Sequence, residues 1–216
     1  MDMHRENDIM GKHRHHGTRG RKRHHGSGTD TPFNLQQTHN TTRFCDCLGK
    51  ARALNPHGCC VSPQNPHYME GSKMFLTPDG LTGCAVKPDG DIVGVFNSNT
   101  SHHGAAKVLL QLAVEHGGDR LDCYGTGLVR IYSANGFEPV NCVPYDGDYV
   151  EKNDFNRFLI EEEPSVYTMM YTGVQHVYQT ERQLADMLDK LPKMDYDSAM
   201  AERDALIEHK KITQRF

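Results

Sequence analysis

The chain has 216 residues, with 24 Lys and Arg against 28 Asp and Glu, 14 His, and 37% hydrophobic residues, which suits one domain of ordinary size with attachments. No apolar run approaches the roughly 18 residues of a membrane span and no signal-type apolar segment follows the start, so a transmembrane protein is excluded and a cytoplasmic location is expected. The 7 Cys, adjacent Cys59 and Cys60 among them, have no framework spacing and read as reduced thiols.

Residues 1–30 carry seven basic side chains and four acids, a net +3, so the remaining 186 residues sum to −7. From Gly11 to Gly28 there is no acid, and His13, His15, His16, His24 and His25 are interleaved with the basic residues. So little apolar surface cannot offset the entropy of ordering, and residues 1–40 are expected to form a disordered, basic, His-rich arm. Arg14, Arg19, Arg21, Lys22 and Arg23 would grip phosphates of a nucleic acid without reading sequence; the alternative is a solvated tail or an added leader.

The folded part is expected from Thr41, with Thr41 or Thr42 capping a helix whose Phe44, Leu48, Ala51 and Leu54 recur at helical spacing. Asn55-Pro56 stops it, and Cys59 to Val61 is a short strand candidate. Lys73 to Thr77, Leu81 to Lys87 and Asp91 to Phe96, separated by Pro78-Asp79-Gly80 and Pro88-Asp89-Gly90, predict an antiparallel meander. From Gly104 to His116, Ala105, Val108, Leu109, Leu112 and Ala113 form a helical apolar stripe that Gly117-Gly118 ends. A strand at Arg120 to Tyr124 and a helix from about Gly127 to Asn135 follow. Strands at Phe137 to Val143 and Ser165 to Tyr171 come next. Thr180 to Lys190 and Asp197 to Lys211 predict two amphipathic helices that pack on the domain or on a partner.

The turn Ser101-His102-His103-Gly104-Ala105-Ala106-Lys107 joins a strand to a helix that opens on glycine. The first amides of a helix lack partners and carry the positive end of its dipole, so an anion can rest there. Gly125-Thr126-Gly127 is half a dinucleotide fingerprint, but Arg130 stands at the third glycine position. The hairpin meander before it also excludes a βαβ dinucleotide fold. Cys45, Cys47, His57, Cys59 and Cys60 lack a zinc-knuckle spacing. On a helix, Cys45 and Cys47 would stand about 200° apart. Cys123 reads as a small buried residue before it reads as a nucleophile.

The order of elements from Phe44 to Tyr171 resembles the GNAT superfamily of acyl-CoA-dependent N-acetyltransferases. Ser101-His102-His103-Gly104-Ala105-Ala106 matches the family's acyl-CoA signature at Gly104 and Ala106 and departs from it at Ser101. Leu128 to Phe137, with Tyr132 and Gly136-Phe137, looks like the family's second helix end. The segment from Phe75 through Tyr149 is closest to GNAT-like domains encoded by bacteriophages and mobile elements. The resemblance implies a mixed α/β (α+β) fold with a mainly antiparallel central sheet flanked by helices, spanning 41–172, with a helical extension over 173–216. It implies acetyl-CoA in a cleft between the strand at Val93, Gly94 and Val95 and the strand at Leu121 to Tyr124, with Gly94 at a bulge. The diphosphate would rest on the amides of His103, Gly104, Ala105 and Ala106, with Ser101, His102 and Lys107 of the same turn also expected to bind the cofactor.

Tyr132 would be the acid for the departing thiolate, its phenol being weaker than a thiol as an acid and so able to donate. Asp122 is the candidate base beside the cleft, with Glu70, Asp79 or a water chain as alternatives. The expected function is N-acetyl transfer to an amine of a protein or small molecule. The competing expectation is a GNAT-like structural or virion-associated protein without catalysis, holding nucleic acid through its arm.

Overall fold

A computed structural model describes residues 34–55, 58, 61–146 and 164–213. The basic run over 11–28 and the strand candidate at Cys59 and Cys60 lie outside the described residues, and Val61 lies in a bend. The fold is mixed α and β, with five helices and two antiparallel sheets among the described residues.

Strand structure is present before residue 41, the expected start of the folded part. Strand β1 (Gln36–Thr38) pairs antiparallel with β2 (Lys73–Leu76), and Leu35 packs against the main core. An edge strand with open N–H and C=O groups favours such a partner, which corrects the arm's inner limit.

Helix α1 (Thr41–Leu54) is capped by Asn40 rather than by either threonine: its side chain accepts from the Arg43 N–H at 2.9 Å. Phe44, Leu48 and Ala51 form its buried stripe, and Asn55 leaves the helix in the extended conformation expected before a proline. Strands β2, β3 (Thr82–Val86) and β4 (Ile92–Asn97) make the meander. Each of its turns is closed by an aspartate: Asp79 accepts from the Leu81 N–H and Asp89 from the Asp91 N–H, both at 3.0 Å.

Helix α2 (Ala105–Glu115) leads into β5 (Arg120–Tyr124), α3 (Gly125–Ser133), β6 (Phe137–Val143) and β7 (Val166–Tyr171). Helix α3 starts two residues before the expected Gly127, because Gly125, at φ +76°, lets the chain turn directly out of β5. The first sheet runs β1-β2-β3-β4 and the second β5-β7-β6.

Side chains alternate across the first sheet. Phe75, Cys84, Val86 and Ile92 face Leu109, Leu110 and Ala113 of α2, whereas Met74, Leu76, Ala85 and Phe96 face Phe44, Leu48 and Ala51 of α1. Helices α1 and α2 therefore cover opposite faces, and burying each large apolar side chain contributes roughly 1.5–3 kcal/mol. Helix α4 (Glu181–Leu188), held by a capping box between Thr180 and Gln183, sends Leu184 and Leu188 into the α2 cluster. Helix α5 (Tyr196–Thr213) lies against β6 and β7, where Asn141 donates to the Ala199 carbonyl at 2.9 Å and accepts from Thr168 at 2.6 Å. No helix among the described residues is long and apolar enough to cross a membrane.

Candidate active site

Strand β4 is the outer strand of one sheet and β5 the outer strand of the other. They touch at their starts, through a parallel bridge between Asp91 and Arg120 and an Asp119 N–H donating to the Gly90 carbonyl at 3.0 Å. Beyond that point no ladder joins them among the described residues. A bulge helps to part them: Gly83 pairs with Phe96 but Ala85 with Val93, leaving one extra residue in β4, where Gly94 adopts φ +58°. A side chain at Gly94 would also press on Leu48 and Phe44, its Cβ lying 3.2 and 3.3 Å from them.

The gap holds a cavity of about 1090 Å³. Val93, Gly94, Val95 and Asn97 line one side, and Leu121 to Tyr124 the other. Ala106 and Leu109 approach from the α2 face, Leu48, Ala51 and Arg52 from the α1 face. The cavity is thus lined from both faces of the sheet.

Of the residues expected to seat a diphosphate, Ala106 lines the cavity and Ala105 is buried in the core. Ser101, His103, Gly104 and Lys107 are exposed at the start of α2. Gly104 is left-handed at φ +74°, and no side chain caps this helix. The Lys107 N–H already donates to the Gly104 carbonyl at 3.1 Å. His102 is engaged within its loop, its Nδ1 lying 3.1 Å from the Thr82 hydroxyl and its Nε2 3.3 Å from the Asn99 amide. Asn97 and Asn99 accept from the N–H groups of Asn99 and Ser101 at 3.1 and 3.0 Å, which fixes the path between β4 and α2.

Tyr132, on the buried stripe of α3, and Cys123, on β5, both line the cavity. Burial, then the neighbouring Cys123, Asp122 and Cys84, holds the Tyr132 phenol well above its usual value, so it stays protonated. Burial, with Asp122 beside it, raises the Cys123 thiol well above the usual range, which makes a resident thiolate nucleophile unfavourable.

Asp122 lines the cavity from the other face of β5. Burial raises its carboxyl, against the opposing pull of Arg203 and of Tyr196, whose hydroxyl donates to Asp122 Oδ2 at 3.3 Å. The other two base candidates are placed elsewhere. Glu70 pairs with His67 at 3.2 Å on the surface, and Asp79 serves its turn, its carboxyl held below the usual range by the Thr77 hydroxyl and the Leu81 amide.

Behind Asp122 stands a charged layer that pattern reading passed over. Arg203 of α5 is 1% exposed. Its Nη1 lies 3.5 Å from Asp91 Oδ1 and its Nη2 2.9 Å from Asp204. Asp204 also meets Arg120 at 3.0 Å, and Asp119 joins Arg120 at 2.8 Å to Lys211 at 3.0 Å. The i, i+4 run of Ala199, Arg203 and Ile207 was the available signal, since it puts an arginine on the buried stripe of its helix. No group of three or more His, Cys, Asp or Glu among the described residues is arranged to hold a metal ion.

Comparison of the chain with protein-family models, with curated proteins and with solved structures found no match in any of the three.

Proposed function

We propose that the chain is an acyl-CoA-dependent N-acetyltransferase. The observation that carries this reading is the pair of strand edges, unpaired among the described residues beyond their first bridge, that face each other across a cavity, with a helix start near it that no side chain caps. Unpaired strand edges offer alternating N–H and C=O groups, which suit an extended ligand that itself carries amides. The pantetheine arm of coenzyme A is such a ligand, with two amides in an extended chain and a diphosphate at one end. Its arm would run along Val93 to Val95, and its diphosphate would approach the first amides of α2, where Gly104 carries no side chain to obstruct it.

The reaction then follows from the side chains around the gap. A neutral amine attacks the thioester carbonyl, so a C–N bond forms and the C–S bond breaks. Tyr132 donates its proton to the departing thiolate, because burial keeps the phenol protonated. Asp122 takes the proton that the nitrogen loses, directly or through a water. Its raised carboxyl makes it a stronger base than an ordinary aspartate. Return of that proton to the Tyr132 phenolate closes the cycle, and the products are an acetamide and the free thiol.

Calorimetry with acetyl-CoA tests the reading, with Gly104→Glu as control. A Cβ there meets no atom within 4 Å, but a glutamate sets a negative charge at the helix start and strains a left-handed residue. Saturable binding to the intact chain, weakened at least about tenfold by the substitution, is the expected result. No heat with the intact chain overturns it. If the chain then binds duplex DNA in a salt-dependent manner through residues 11–28, the structural alternative gains instead.

A further inference from the structure

Two charged side chains line the cavity among its described residues, Arg52 and Asp122. Asp122 is matched from behind by Arg203 and Tyr196. Among the described residues Arg52 is not matched. It stands in the last turn of α1, half-buried, and its Nε is buried with no hydrogen-bond acceptor among the described residues. The following chain closes tightly over this turn: Gly58 is buried, donates to the Asn55 carbonyl at 2.8 Å, and would collide with the Arg52 carbonyl if it carried a Cβ. A buried guanidinium donor without a partner is rare in folded proteins, and a planar fork of N–H groups fits an oxyanion better than any other ligand group.

Its position separates it from the place given to the diphosphate. Arg43, one end of α1, donates to the Pro78 carbonyl at 3.1 Å, beside the turn where β3 pairs with the end of β4. Arg52 follows nine residues later, about 13 Å along the helix axis at 1.5 Å per residue. Helix α1 also covers the sheet face opposite to α2. A thioester carrier entering from the α2 side leaves the α1 side, with Arg52 and Asp122, for the second substrate.

We propose that Arg52 binds an oxyanion of the acceptor, so that the acceptor is an amine that also bears a carboxylate or phosphate group. The inference rests on the acetyltransfer reading for the word acceptor, but the anion site stands on the cavity and Arg52 alone. The amine end lies toward Asp122, the base, and the oxyanion end toward Arg52, the cation lining the cavity.

The test is nuclear magnetic resonance of the arginine Nε–H signals of the full chain. The Arg52 signal is assigned by its loss in Arg52→Lys, and the wild-type chain is titrated. β-Alanine and ethanolamine phosphate carry the two oxyanion chemistries; β-alanine methyl ester and propylamine lack a charged oxyanion. A saturable shift of the Arg52 signal with either oxyanion probe, at least tenfold tighter than with the ester and propylamine, supports the site and tells carboxylate from phosphate. No shift with either oxyanion probe overturns it. A shift produced only by coenzyme A, and lost with dephospho-coenzyme A, also overturns it by assigning Arg52 to the donor. Should acetyl-CoA fail to bind while β-alanine still moves the Arg52 signal, the acetyltransfer reading falls and the oxyanion site stands.

Discussion

Asp91 bears a measurable cost of burial. It is 7% exposed, and its carboxyl is pushed from 3.8 to about 6, first by burial, then by the charges of Asp122 and Asp89, against the pull of Arg203 and Lys87. A carboxyl that holds its proton more tightly in the folded state contributes stability that is full below about pH 4. That contribution is lost as pH rises through about 6. The gap is about two pH units, and at 1.36 kcal/mol each it amounts to about 3 kcal/mol by pH 8. Asp91→Asn keeps the shape and cannot ionise, while Arg203 retains Asp204 at 2.9 Å.

The variant is therefore expected to match the wild type near pH 4 and to exceed it by up to about 3 kcal/mol at pH 8. Urea unfolding between pH 4 and 8, followed by circular dichroism because the chain has 0 Trp, measures the difference and cancels the other carboxylates. A variant that lies below the wild type by the same margin at every pH refutes the reasoning. It would mean that the Arg203 pair outweighs the desolvation of Asp91.

Two substitutions separate the chemistry from the frame that holds it. Tyr132→Phe should lower kcat for acetyl transfer by about 100-fold or more while acetyl-CoA affinity holds within about twofold, read by thiol release and calorimetry; an unchanged kcat removes the phenol from the mechanism. Gly94→Ala places a Cβ 3.2 Å from Leu48 at φ +58° and should cost roughly 1–3 kcal/mol in urea unfolding while weakening acetyl-CoA. Wild-type stability in that variant would mean that the bulge tolerates a side chain.

Local chemistry made most elements legible. The two Asp-Gly turns predict the meander because an aspartate side chain closes each turn and glycine takes the left-handed position after it. The stripe from Ala105 to Ala113 predicts α2 because its spacing is that of one helix face. The place of β1 was not legible, since Gln36 to Thr38 is polar and becomes a strand only because β2 offers it an open edge. The cap of α1 fell one residue early because asparagine competes with threonine for that role, and Asn40 reaches the Arg43 amide.

Within the site, Val93 to Val95 and Tyr132 were named from the family resemblance and Asp122 from its place on the strand beside the cleft, and all of them line the cavity. His102 was named for its donors, but Thr82, twenty residues upstream, turns its ring into the loop. Arg203 and Arg52 passed unnoticed for a shared reason. An arginine on a helix reads as solvated, and only the packing of α5 against β6 and β7, or of the turn after α1, buries its nitrogens.

Hydrogen exchange of the full chain with and without acetyl-CoA tests most directly whether a carrier lies between the two strand edges. Slower exchange confined to peptides covering 93–98, 103–107 and 121–126 is expected, because the ligand would engage β4, the start of α2 and the end of β5 together. Binding that leaves the 93–98 peptide unprotected would contradict the seating between the sheets.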